Sequence, residues 1–113
     1  MSERTDRDFL EHIREAAERA SSYTEKMTSE EFLGDTKTQD AVIRNIEIIG
    51  EATKNLSDDL RDRHPEIPWK GLAGMRDRLI HQYFGVNLDI VWSVAKDELP
   101  EILLHIRKME ETE

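Results

Sequence analysis

Apolar residues recur along this chain at intervals of three and four, and that spacing dictates helices. Phe9, Ile13, Ala16, Ala20, Tyr23 and Met27 form one stripe, which predicts a helix over about residues 5–27. Val42, Ile46, Ile49, Thr53 and Leu56, broadened by Ile43, Ile48 and Ala52, mark the inward face of a second long helix starting near Thr36. Between them, Thr28-Ser29-Glu30-Glu31 reads as a capping box opening a short turn that ends near Gly34. Ser57 ahead of Asp58 and Asp59 reads as an N-cap with acids in the first turn of a short helix to about Arg63.

His64-Pro65-Glu66-Ile67-Pro68 breaks this pattern, because each proline removes an amide donor and restricts the residue before it. Pro68 suits the first position of a further helix, which carries Trp69, Leu72, Met75, Leu79 and Ile80 inward and stops by Gly85. Asn87 caps a last helix with Val91, Ala95, Leu99, Ile102, Ile106 and Met109 inward, kinked near Pro100 and frayed from Glu110. These elements predict an all-α fold: an antiparallel up-and-down bundle of four main helices plus one or two short ones. A chain of 113 residues makes one domain, here 1–113, with an ordered core over about 8–108.

Composition narrows the chemistry. The absence of cysteine excludes a disulfide framework, a thiolate metal site and a cysteine nucleophile, and makes a cytoplasmic location the expectation. No apolar run approaches the length of a membrane span, and the polar start is unlike a signal peptide, so no membrane partner is expected. A net charge of −9 argues against attraction of nucleic acid over the whole surface. Residues 54–81 escape that bias, with six basic side chains against five acidic ones.

Inside this segment lies Arg76-Asp77-Arg78-Leu79-Ile80-His81-Gln82-Tyr83, a guanidinium, a carboxylate, an imidazole and a phenol within eight residues. On a continuous helix Arg76 and Tyr83 nearly superpose, Asp77 and His81 share the neighbouring line, and Arg76 and His81 differ by about 140°. Imidazole takes and gives a proton near neutral pH, and arginine holds phosphate through parallel donors. Together they suit attack of an RNA 2′-hydroxyl on its own adjacent phosphate, which needs proton transfer and charge stabilisation but no metal or other cofactor. On spacing alone, an ordinary structural Asp–His pair remains the stronger reading.

The run resembles the Arg-x4-His-x-Tyr signature of the HepT-like branch of the HEPN superfamily. Ile48-Ile49-Gly50-Glu51-Ala52, Ile67-Pro68-Trp69, Gly74-Met75-Arg76-Asp77 and Tyr83-Phe84-Gly85-Val86-Asn87 are similar to the family pattern at their expected places. The resemblance implies a small all-α endoribonuclease, metal-independent, acting as the toxin of a toxin–antitoxin pair. It places the catalytic pair on Arg76 and His81, the polar position after the arginine on Asp77, and a tyrosine modified by AMP transfer on Tyr83. It further implies a homodimer whose two motifs face each other, a minimal nucleotidyltransferase antitoxin (MntA-like) as partner, and tRNA or mRNA as substrate. Asp77 departs from the asparagine that many nuclease members carry, and it puts a negative charge where phosphate should sit.

Other polar residues carry less. Lys70 and Arg78 are candidates for RNA phosphates, with a solvated helix face as the equal alternative. His12, His64 and His105 read as packed or solvated, and Trp69 and Trp92 as core anchors. Asp77 with His81, or Glu101 with His105, offers two metal ligands without a third. The competing function is a non-catalytic dimeric helical subunit that binds a nucleotide or docks a nucleotidyltransferase.

Overall fold

The structure, a computed structural model, describes residues 5–81 and 85–113, the side chains of Ile80 and His81 excepted. Helix α1 runs Asp6–Thr24, α2 Ser29–Leu33, α3 Thr36–Lys54, α4 Asp58–Arg63, α5 Trp69–Ala73 and α6 Met75–Leu79. A two-residue antiparallel pair follows, β1 Ile80–His81 with β2 Gly85–Val86, in which Ile80 faces Val86 and His81 faces Gly85. The chain finishes in α7 Leu88–Ser93, a π turn Val94–Glu98 and α8 Leu99–Thr112. The expected all-α fold is present, with α1 packed along both α3 and α8.

The inward face of α1 explains that arrangement. Leu10, Ile13, Ala16, Ala17, Ala20 and Thr24 are buried, and the three small alanines on this face let two neighbouring helices approach one axis. This face is offset from the expected stripe, for Phe9 is only partly buried and Tyr23 is 42% exposed. α1 also ends three residues early. Lys96 Nζ donates to the carbonyls of Thr24 and Glu25 at 3.0 and 3.3 Å, satisfying acceptors that a helix end leaves open.

Capping sets most other boundaries as the sequence predicts. Thr28 and Glu31 exchange capping hydrogen bonds, Ser57 Oγ accepts from Leu60 N–H, and Asn87 Oδ1 accepts from Asp89 and Ile90 N–H. Two of the buried polar side chains bridge elements. Gln39 donates to the carbonyls of Phe32 and Leu33, and Asn45 accepts from Arg19 Nε–H at 2.9 Å while donating to Ala41 O. Trp69 anchors the proline loop, its indole N–H reaching His64 O at 2.9 Å and Arg61 O at 3.2 Å.

The third main helix differs from expectation. Instead of running from Pro68 towards Gly85, it breaks at Gly74 into α5 and α6, and it ends at Leu79. Glycine weakens a helix interior by about 1 kcal/mol relative to alanine. Beyond Leu79 the backbone finds a better partner, since Leu79 O accepts from Asn87 N–H at 2.6 Å and the chain becomes extended. Pro68 sits one position ahead of α5, as its N-cap residue.

Near Pro100, where the sequence predicts a kink, the missing amide interrupts the helical ladder and the preceding residues form the π turn, with Leu99 N–H reaching back five residues to Val94 O. The C-terminal end is not frayed. Helix α8 continues to Thr112, and the Glu113 carboxylate is clasped by Arg63 Nη1 at 2.7 and 2.8 Å and lies 3.1 Å from His64 Nε2.

Gly50 sets how close α5 comes to α3. A Cβ there would lie 3.3 Å from Ala73 O and 3.6 Å from Leu72 O, so the bare backbone of α3 receives the α5–α6 junction directly. Gly71, by contrast, has only Pro68 Cβ within 4 Å, at 3.8 Å. Gly50→Leu is therefore expected to destabilise the protein by about 2–3 kcal/mol through overpacking. Gly71→Ala is expected to stabilise it by up to about 1 kcal/mol through helix propensity. Urea denaturation of the two variants checks both signs.

The clasp on Glu113 makes a separate prediction. Hydrogen bonds from His64 and Arg63 hold its carboxyl below the usual carboxylate range. A depressed folded-state pKa contributes stability that is present above the unfolded value and lost as pH falls through the folded one. Protection of the amides over 109–112 relative to their intrinsic exchange rates should fall on acidification into that range, and Glu113→Gln should remove the dependence.

Candidate functional site

Helix α6 is five residues long, and its two buried side chains fix its orientation. Met75 and Leu79, four apart, are each 1% exposed and face the core, which turns Arg76, Asp77 and Arg78 outward. All three are exposed. The helix thus presents the basic character of the motif to solvent on a surface anchored from beneath.

The two arginines are held differently. Arg76 Nε–H donates to Glu47 Oε2 at 3.3 Å, an ion pair to α3 in which the arginine side chain is 54% exposed. Arg78 meets Glu98 on the π turn through two parallel bonds, Nη1 to Oε1 and Nη2 to Oε2, each 3.0 Å. The Glu98 carboxylate raises the Arg78 pKa above its already high ordinary value, so that guanidinium is charged and paired. Lys70 lies exposed on α5. Asp77 is exposed, and its backbone N–H donates to Gly74 O at 3.0 Å.

The helix-based geometry of the motif needs correction. Because α6 stops at Leu79, Asp77 and His81 do not lie on successive turns of one helix. The seven-residue superposition of Arg76 on Tyr83, and the 140° separation of Arg76 from His81, likewise lose the continuous helix they assume. The backbone of His81 belongs to β1, two residues past the end of α6. Tyr83 and the imidazole of His81 lie outside the described residues. What the structure brings together is Arg76, Asp77 and Arg78 on one outward face, with the chain to His81 continuing from its end.

Two residues around the arginines were not singled out from sequence: Glu47, on α3, and Glu98, on the π turn. Neither has a local signal. Glu47 is twenty-nine positions from Arg76 and Glu98 twenty from Arg78, so only tertiary packing reveals them.

Several concavities open among the described residues. A groove of about 250 Å³ between α1 and α3 is lined by Phe9, His12, Arg44, Glu47, Ile48 and Asn55, among others, and it meets the Arg76 ion pair at Glu47. A larger one of about 430 Å³ lies between the end of α1 and the start of α8 and contains no motif residue. Two of the remaining histidines are packed or paired. His12 stands edge-on to Phe9 with ring centres 6.2 Å apart, and His64 lies 3.4 Å from Glu66 as well as against Glu113. Trp92 stacks at a tilt on Phe32, 5.3 Å between centres, with Lys96 over its ring at 5.1 Å. Among the described residues, no three His, Asp or Glu side chains converge in a way that would hold a metal ion. No helix among them is long and apolar enough to cross a membrane.

Comparison with known proteins adds the family. A family model described as "Ribonuclease HepT-like" matches residues 13–109. A protein of Thermococcus cleftensis named "Probable ribonuclease HepT" is 50% identical over 99 residues, covering 88% of this chain and 90% of that protein. A "Putative RNase" of Methanocaldococcus jannaschii is 45% identical over 109 residues, 96% of this chain and 90% of its own length. Another "Putative RNase", from Caldanaerobacter subterraneus, is 42% identical over 106 residues, with 94% and 95% coverage. No solved structure matches the chain.

Proposed function

The chain belongs to the HepT-like ribonuclease family, and from that membership we propose that it is a metal-independent endoribonuclease toxin that cuts RNA through Arg76 and His81. The observation that carries this reading is Arg76 itself, turned outward by Met75 and Leu79 with its guanidinium half exposed on the one segment that escapes the acidic bias.

The reaction is the transfer of an RNA phosphodiester to the neighbouring 2′-hydroxyl. The 2′-oxygen bonds to phosphorus, the bond to the 5′-oxygen breaks, and the products carry a 2′,3′-cyclic phosphate and a 5′-hydroxyl. Two protons move, one off the attacking hydroxyl and one onto the leaving oxygen, and imidazole serves for both near neutral pH. Arg76 holds the non-bridging oxygens and offsets the charge that grows on them. Asp77 opposes that anion, which sets a lower ceiling on RNA affinity than a neutral residue would. Lys70 supplies a solvent-facing cation for flanking phosphates, and Arg78 joins it only when the bond to Glu98 opens.

A homodimer with the two motifs across its axis, in the cytoplasm, completes the reading, because α6 alone presents too narrow a surface to enclose a phosphodiester. Control falls to Tyr83. A partner nucleotidyltransferase moves AMP from ATP to the tyrosine hydroxyl, forming the oxygen–phosphorus bond and releasing pyrophosphate. The adduct carries an anionic phosphate into the neighbourhood of Arg76 and competes with RNA for it. The non-catalytic alternative, a nucleotide-binding or docking subunit, draws on Asp77 and the overall acidity.

Cleavage of tRNA or mRNA in EDTA tests the reading. Arg76→Ala and His81→Ala should each lose at least about a hundredfold in rate, in line with removal of a charge stabiliser or a proton carrier. Intact RNA after prolonged incubation with the wild type would favour the docking subunit. Tyr83→Phe should keep most of the cleavage yet resist silencing by the partner with ATP, and mass spectrometry should find the AMP adduct only when Tyr83 is present. Light scattering at micromolar concentration should give the mass of a dimer.

A further inference from the structure

Which edge of a guanidinium is occupied decides what the other can hold. Arg78 spends both terminal nitrogens on Glu98, so the fork that would bracket a phosphate is already filled. Arg76 is bound the other way round. Its Nε–H alone meets Glu47, and its terminal nitrogens have no partner among the described residues. The placement of Glu47 is no accident of a long side chain. Gly50 abuts the Leu72 and Ala73 carbonyls, and three residues back along α3 from Gly50, three forward from Ala73, bring Glu47 opposite Arg76.

We propose that Glu47 is a positioning residue for Arg76: by taking the Nε edge, it holds the guanidinium with its terminal fork open towards the RNA phosphate. The proposal rests on the reading of Arg76 as the phosphate-holding arginine. It also accounts for a carboxylate placed beside an anion-binding group, where charge alone would disfavour it. An exposed ion pair contributes under about 1 kcal/mol to folding, so stability gives little reason for it. Orientation does, since a fixed guanidinium reaches the transition state without first being ordered.

A charge effect and an orientation effect predict different outcomes. Were Glu47 only a nearby negative charge, Glu47→Ala and Glu47→Gln would behave alike, both binding RNA more tightly with kcat unchanged or raised. As a positioning residue, Glu47 is replaceable by glutamine, whose amide oxygen still accepts from Nε–H, but not by alanine. Steady-state cleavage of one RNA by the wild type, Glu47→Ala, Glu47→Gln and Arg76→Ala, with each fold checked by circular dichroism, separates the two. The expected result is a kcat about tenfold lower for Glu47→Ala with KM unchanged or lower, and recovery to within about threefold of wild type for Glu47→Gln. Wild-type kcat in Glu47→Ala, or an equal loss in both Glu47 variants, overturns the proposal while the Arg76 reading stands if Arg76→Ala is inactive. Full activity in Arg76→Ala, or no cleavage by the wild type, overturns that reading and this proposal with it.

Discussion

The distance between α3 and the chain that carries the arginines is set where Gly50 offers no side chain. Two carbonyl oxygens, those of Leu72 and Ala73, rest against bare helix backbone there. Everything beyond follows from that approach. α5 lies against α3 instead of standing off it, Met75 and Leu79 reach the core from a helix of only five residues, and the intervening side chains have no direction left but outward. A short helix has little intrinsic stability, since nucleation consumes most of what its few hydrogen bonds return. Tertiary contact makes α6 persist, and the contact begins at a glycine.

Electrostatics then divides the outward face. Two arginines two residues apart could act as one diffuse positive patch, yet each is assigned by a different carboxylate from a different element. A bidentate pair has the stronger geometry of the two. Arg78 therefore ties α6 to the π turn, while Arg76, joined through a single longer contact, keeps most of its donors for a ligand. In a chain of net charge −9, local pairing of this kind lets one guanidinium remain available without the broad basic surface that non-specific nucleic-acid binding requires.

Helical period and capping residues were enough to locate most elements, because those signals are local. Thr28 with Glu31, Ser57 and Asn87 begin helices where their side chains can reach the first free amides. The inward positions of α3 and of the last helix follow from spacing for the same reason. The end of α6 was not legible, since Leu79 O accepts from Asn87 N–H, a partner eight residues ahead in the chain. The end of α1 depends in the same way on Lys96, seventy-two residues downstream of Thr24. At the site, the identities of Arg76, Asp77 and Arg78 were evident from their chemistry. Their partners Glu47 and Glu98 were not, because an ion pair across two helices leaves no periodic trace in sequence.

The π turn joins parts of the molecule that sequence keeps far apart. Lys96 extends from it to close the end of α1, and Glu98 extends from it to grip Arg78. A turn with five-residue hydrogen bonds is a less regular piece of helix than its neighbours, and Pro100, two residues beyond its end, has no amide to reinforce it. If that turn opens locally, both tethers are released in the same event. The C-terminal end of α1 and the arginine-bearing helix then behave as one cooperative unit of exchange, loosening and re-forming together although neither is continuous with the other in the chain.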